Sequence, residues 1–294
     1  TGAIVAQKLC DLKVNGIVGH LNSGTTIPAS RIYYDCGIPQ ITPSATTPKV
    51  TKQGFESVFR VIAHDGVLGV ALAKYAVDEM KAKRVVVIDD RTGYGQPLAD
   101  IFTKQLEAKG VKVLERHYTN DKATDFAAIL TSVKRVNPDL VFYGGMDAQA
   151  GPMLRQMKQL GIKAKLIGGD GICTAELMRL GGDNVGSNVL CAEGGMALSK
   201  MPGGPAFEKR YKAQFKTDIQ VYAPFVYDAV MTMGMAMKNA KSADPKKYLP
   251  KLKDIRYDGV IGTIAFDEVG DVLNAAVTLN SYGPQGKFPV KVVN

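Results

Sequence analysis

Small polar residues collect at four places in this 294-residue chain where a strand gives way to a helix or a Pro-bracketed loop. Open α/β sheets gather their ligands at such carboxyl ends. GHLNSGTT, residues 19–26, runs from a strand end into a helix start. Its free backbone N–H groups, with the hydroxyls of Ser23 and Thr25, form a cup suited to an anion, most simply a carboxylate; the same residues read equally well as an ordinary N-cap. ITPSATTP, residues 41–48, ends a strand in the hydroxyls of Ser44 and Thr46 on either side of Ala45. Its prolines cannot continue a ladder, so carbonyls and side chains there need other partners. DDRTGYGQPLAD, residues 89–100, sets Tyr94 between glycines at a strand-to-helix turn, where it would cover a ligand or pack on its own helix. LIGGDG, residues 166–171, puts Asp170 on a glycine-flanked turn, as a partner for a cation or as an Asx-type turn former.

Other chemistries lack their markers. The sequence contains no Gly-x-Gly-x-x-Gly turn opening a helix, no Walker phosphate loop, no His-Glu-x-x-His and no Gly-x-Ser-x-Gly elbow. His20 lies three residues before Ser23, but it follows directly on a buried strand and reads as a structural strand-end histidine. Four cysteines and three histidines show no zinc spacing. No cofactor, metal or catalytic activity is therefore expected. The cysteines read either as reduced core residues or as two bridges. Cys173 opens a helix after a strand and Cys191 ends the next strand, which favours a bridge between them and an oxidising compartment. Cys10 and Cys36, each ending a helix beside the strand at 16–19, form a possible second pair.

Those segments need a scaffold, and the chain can build one. With 46% hydrophobic and 22% charged residues it holds one large core or two ordinary ones, which excludes a disordered chain, a collagen-like chain and a small disulfide scaffold. No apolar run approaches the roughly 20 residues of a bilayer helix. The net charge of +9 is spread among apolar residues, with no Trp and no basic block interleaved with aromatics, so no nucleic-acid partner is expected.

Periodicity predicts strands over residues 16–19, 38–41, 59–62, 84–88, 112–118, 140–143, 166–168 and 188–192. Helices are predicted over 25–36, 65–80, 95–108, 126–136, 148–160 and 174–180, the βαβ rhythm of parallel sheets in an α/β fold. After residue 192 the rhythm gives way to helices over 207–215 and 224–240 and a third opening at Pro245. The stretches 61–65 and 192–196 look like points where the chain leaves one sheet for another. The sequence opens inside an amphipathic helix over 4–11, so a parallel sheet would start without its first βαβ unit, and no signal peptide is visible.

In chain order GHLNSGTTIPAS, GIPQITPSATTP, DDRTGYGQPLAD, YGGMDAQAG, GGDGIC and FDEVGD resemble the periplasmic branched-chain amino acid binding proteins of ABC transporters, the leucine-isoleucine-valine group of type I periplasmic binding proteins. The resemblance covers residues 6–293. It implies two Rossmann-like (flavodoxin-like) lobes with parallel sheets, residues 1–64 with 193–271 and residues 65–192 with 272–294, that close on an amino acid in the cleft and deliver it to a membrane permease in the periplasm. It further implies that Ser23 and Thr46 hold the α-carboxylate. The Ser44 carbonyl, the Thr46 hydroxyl and Asp170 would hold the ammonium, with Ala45 in the same binding loop. Tyr94 would close over the ligand and Tyr222 would lie near the side-chain pocket. Two positions depart from the leucine binder: Met146 stands where it carries an aromatic, and Asp170 where it carries the longer Glu. The first βαβ unit would supply further pocket residues in that family.

Two rival readings remain. One is an α/β enzyme built on Asp170, Tyr94 and His20, against which the missing nucleophile and cofactor motifs speak. The other is the ligand-sensing core of a regulator or receptor of the same fold, binding an amino acid or small amide; no helix-turn-helix precedes the core here.

Overall fold

A computed structural model describes residues 2–293. In chain order the elements are α1 (Gly2–Asp11), β1 (Ile17–Val18), α2 (Ser23–Asp35), β2 (Gln40–Thr42), β3 (Val58–Arg60) and α3 (Asp65–Asp78). There follow β4 (Val85–Asp89), α4 (Gly95–Ala108), β5 (Val113–Tyr118), α5 (Ala127–Val136), β6 (Leu140–Gly144) and α6 (Asp147–Gln159). Next are β7 (Lys165–Gly168), α7 (Ala175–Gly181), β8 (Val189–Gly194), α8 (Gly204–Phe215), α9 (Ala223–Asn239) and α10 (Pro245–Lys253). The last are β9 (Tyr257–Asp258), β10 (Thr263–Ile264), β11 (Val277–Gly283) and β12 (Gly286–Val293). No helix among the described residues is long and apolar enough to cross a membrane.

The chain divides into two compact units, Thr1–His64 with Gly195–Ala276 and Asp65–Gly194 with Val277–Asn294. The divisions expected at 192/193 and 271/272 thus fall at 194/195 and 276/277, because β8 runs on to Gly194 and β11 does not begin until Val277.

Unit 1 carries a parallel sheet in the order β1-β2-β3, with Ile17 opposite Gln40 and Ile41 opposite Phe59. One side is filled by Ala6, Cys10, Ala29, Tyr33 and Ile38 from α1, α2 and their flanks, tied by a Cys10–Cys36 disulfide. The other side packs Ile41, Phe59 and Ile62 on Phe225, Ala229 and Met233 of α9 and on Tyr248 and Leu252 of α10. α10 starts where the sequence asks it to: Pro245 sits at the first position and the Asp244 carboxylate accepts the Lys246 N–H at 3.0 Å.

Unit 2 carries a seven-stranded sheet in the order β12-β11-β8-β7-β6-β4-β5. Its strands from β4 to β8 are parallel, and VVVID and LVFYG are buried at every position, as strands covered on both faces must be. The sheet is not wholly parallel as expected: β11 runs antiparallel to β8 and pairs with β12 in a hairpin. At the carboxyl ends of β4 and β6 the backbones of Gly95 and Gly144 meet so closely that a Cβ on Gly95 would stand 2.3 Å from the Gly144 carbonyl oxygen. Only glycine lets α4 start that near to the end of β6.

Candidate functional site

In unit 1 the polar residues converge on one carbonyl. The His20 C=O, just past β1, accepts the Thr42 hydroxyl at 3.1 Å and lies within reach of those of Thr26 at 3.2 Å and Ser44 at 3.4 Å, which donate more closely to the carbonyls of Asn22 at 3.0 Å and Leu21 at 3.1 Å. Thr42 in turn accepts the Ala45 N–H at 3.0 Å, which turns the chain sharply after β2. Ser23 lies in the first turn of α2, where helix N–H groups have no partner within the helix. Its hydroxyl oxygen accepts the Thr47 N–H at 3.3 Å, fastening the helix start to the 43–48 loop. Ser23 is therefore not an N-cap; that place is held by Asn22, whose side chain makes no capping bond. Thr25 packs toward Gly2 of α1 instead.

Thr46 stands apart from its neighbours. It is buried, and its Oγ1 has no hydrogen-bond partner among the described residues. A hydroxyl that gives up water and gains nothing is a standing cost, one that a hydrogen-bonding partner would offset.

Beneath this loop lies a support that sequence reasoning missed. Arg60, fully buried at the end of β3, donates from Nη1 to the carbonyls of Ala45 at 3.2 Å and Thr47 at 2.8 Å, and from Nη2 to the Thr51 hydroxyl at 3.0 Å. Its charge is answered by Asp271, whose Oδ1 accepts Nε at 2.9 Å and Nη2 at 2.5 Å. Asp271 belongs to FDEVGD, so that motif braces the 43–48 loop through Arg60. His20 closes this side: its Nε2 bonds the Tyr33 hydroxyl at 2.9 Å, its ring stacks on Tyr33, and burial pushes its pKa below the usual histidine value.

In unit 2 Asp170 opens the turn after β7 and is buried. The Tyr94 hydroxyl donates to its Oδ1 at 2.8 Å and accepts the Gly171 N–H at 3.0 Å. Tyr94 is only 4% exposed, so in this structure the ring holds Asp170 and does not stand free as a cover. Tyr94 is itself placed by Asp90 and Thr92: Asp90 Oδ1 accepts the Thr92 hydroxyl at 2.6 Å, and Thr92 Oγ1 accepts the Gly95 N–H at 3.0 Å. Burial raises the Asp90 pKa, and the Thr92 bonds offset part of that rise. Met146 lies over the same turn, its sulfur 2.8 Å from where a Cβ on Gly171 would stand. The disulfide Cys173–Cys191 anchors the far end of the Asp170 turn to β8. Tyr222 lies elsewhere in unit 1, at the start of α9, in the wall of a groove between α8 and α9.

The structure thus brings Ser23, Ser44, Ala45 and Thr46 together in unit 1, and Tyr94, Met146 and Asp170 together in unit 2. No group of three or more metal-ligating side chains occurs among the described residues. A hydroxyl-rich loop on a helix start can take a carboxylate; a buried acid beside a phenol can take a cation.

A sequence profile described as periplasmic binding protein matches residues 1–281. The Leu/Ile/Val-binding protein homolog 1 of Brucella abortus is 34% identical over 277 residues, which cover 92% of this chain and 72% of the relative. A leucine-, isoleucine-, valine-, threonine- and alanine-binding protein of Pseudomonas aeruginosa is 32% identical over 94% of this chain and 73% of its own length. Among solved structures, the leucine binding protein LivK of Thermotoga maritima superposes with a TM-score of 0.94 at 29% identity, covering 100% of this chain and 84% of that one. LivJ of Streptococcus pneumoniae, solved with isoleucine, gives 0.90 at 26% identity over 99% of this chain and 83% of its own. By profile, by sequence and by fold, the chain belongs to the periplasmic binding protein family.

Proposed function

We propose that this solute-binding protein captures a free amino acid with an aliphatic side chain in the periplasm and delivers it, chemically unchanged, to an ABC permease. The observation that carries the reading is the buried, unpartnered Thr46 hydroxyl beside Ser23 and the start of α2. One hydroxyl can donate to an α-carboxylate and accept from an α-ammonium at once. In this reading Ser23, Thr46 and the α2 N–H groups take the carboxylate, while the Ser44 carbonyl, Thr46 and Asp170 take the ammonium. Ala45 lines the loop, Tyr94 holds Asp170 in place, and Met146 borders the ligand's side chain. Relatives named for binding leucine, isoleucine, valine, threonine and alanine, and one solved with isoleucine, support an aliphatic preference. Two disulfides support an oxidising compartment.

The test is a thermal-shift screen of the twenty amino acids followed by calorimetry on each hit. A ligand at ~100 times its dissociation constant should stabilise the fold by about 2.7 kcal/mol. Asp170→Asn should then weaken the best hit by ~2 kcal/mol or more, the usual cost of losing one partner of a buried charge pair. A folded protein that no amino acid shifts would overturn the reading.

A further inference from the structure

The stretches by which the chain passes from one unit to the other fall at 64/65, 194/195 and 276/277. Within unit 1 all three flanks, represented by Ala63, Gly195 and Ala276, line one cavity of about 380 Å³. Its floor includes Phe225, 2% exposed, with Val61 and Ile261 in the walls. The ring reaches that floor only because position 195 is glycine: φ there is 93°, and a Cβ would stand 2.6 Å from Phe225 Cζ.

Two polar side chains in the lining are uncommitted. Arg256 is exposed, and its guanidinium makes no ion pair or hydrogen bond among the described residues. Asn274 is likewise exposed, with its carboxamide unpartnered. Thr263 differs, since its hydroxyl is spent on Asp258 at 2.6 Å. No Asp or Glu lines the cavity. An arginine with no counter-charge in the same lining as Phe225, Val61 and Ile261 selects an anion with an apolar end, and the missing acid leaves an α-ammonium without a partner.

We propose that this cavity is a second ligand site, one for a short apolar monocarboxylate. Arg256 takes the carboxylate and Asn274 donates beside it, while the hydrocarbon end lies on Phe225, Val61 and Ile261. The site differs in kind from the amino acid site, which needs both an anion cup and an acid.

The probe is isovalerate, titrated into the full chain by calorimetry and followed by methyl NMR shifts. Saturable binding is expected, weakened about tenfold or more in Arg256→Gln, the weight of a hydrogen bond to a charged group. Ala63→Leu, which fills the cavity, should abolish it, while Thr46→Val should leave it intact. Arg256→Gln should also keep the amino acid affinity of the parent. Absence of isovalerate binding, its survival in both Arg256→Gln and Ala63→Leu, or its loss in Thr46→Val would each overturn the proposal; the last would put the acid at the amino acid site.

Discussion

The Tyr94 hydroxyl donates to Asp170 at 2.8 Å while accepting the Gly171 N–H at 3.0 Å, so a single phenol fixes both the acid and the turn that carries it. Tyr94→Phe keeps the ring and deletes those bonds. Stability should fall by about 1–3 kcal/mol, read from urea unfolding, because Gly171 is left with a buried donor unmet. Amino acid affinity should fall as well, since the carboxylate is free to turn; an unchanged dissociation constant would show that Asp170 needs no such hold.

Arg60 and Asp271 predict a larger effect. Both are buried, and the guanidinium also holds two carbonyls of the 43–48 loop. Asp271→Ala leaves a buried cation without its acid and should cost about 3–5 kcal/mol in chemical denaturation. A loss below ~1 kcal/mol, the range of exposed pairs, would mean that water replaces the carboxylate.

Thr46→Val separates binding from folding. Replacing a buried hydroxyl that has no partner with a methyl should leave the ligand-free protein equally or more stable. The same change should weaken amino acid binding by about 1–3 kcal/mol, the cost of an unmet polar group. Stability and affinity moving down together would refute the assignment.

Two histidines set a pH dependence. Burial is the main cause that lowers the pKa of both His20 and His64, with the Arg60 charge adding to the effect at His64. Each is held neutral when folded and protonates more readily when unfolded. Their contribution is therefore complete above the ordinary value of 6.5 and is lost as pH falls through the lower folded values. Asp90 and Asp228, the latter buried in α9 and accepting the Val260 and Ile261 N–H groups, are raised chiefly by burial and act in the opposite sense, adding stability in acid that is lost as pH climbs through their raised values. Unfolding free energy should fall between pH 7 and pH 5 by at most ~1.4 kcal/mol per pH unit for each histidine. His20→Gln should flatten that slope; an identical slope in the variant would remove His20 from the account.

Reduction should weaken both units. The bridges close separations of 26 residues at Cys10–Cys36 and 18 at Cys173–Cys191, and loops of that size are worth about 3 kcal/mol each. Denaturant unfolding with and without dithiothreitol, paired with mass spectrometry of alkylated thiols, measures this. Because Cys173 follows the Asp170 turn directly, loss of its bridge should also weaken amino acid binding, whereas Cys10→Ser with Cys36→Ser should affect mainly stability.

What the sequence disclosed, and what it hid, follows from distance along the chain. VVVID and LVFYG are legible because strands buried on both faces are unbroken apolar runs, and α4 matches its expected span over 95–108 because Gly95 and Gly110 bound it. The β11–β12 hairpin was not anticipated: Phe288, Val290 and Val292 alternate along β12 but stay exposed, and Pro289 within the run reads against a strand. The turn at YGPQGK was its one local sign. Ser23, Thr46 and Asp170 could be singled out because each sits in its own strand-end motif. Arg60 could not, since its acid lies 211 positions away and nothing local says that a lone arginine in a buried strand has found a partner. The link from Tyr94 to Asp170 was hidden for the same reason: its glycine neighbours left a covering ring and a packed ring equally open, and only the fold brings Asp170 to its hydroxyl.

The antiparallel pairing of β11 on β8 also dictates an order of assembly. Val189–Gly194 leaves the ribosome well before Val277–Gly283, with the whole of Gly195–Ala276 made in between. During that interval β8 presents a bare row of backbone donors and acceptors, the kind of edge that recruits other chains. The unit that starts second is thus completed last, because β8 gains its outer neighbour only once β11 has been made.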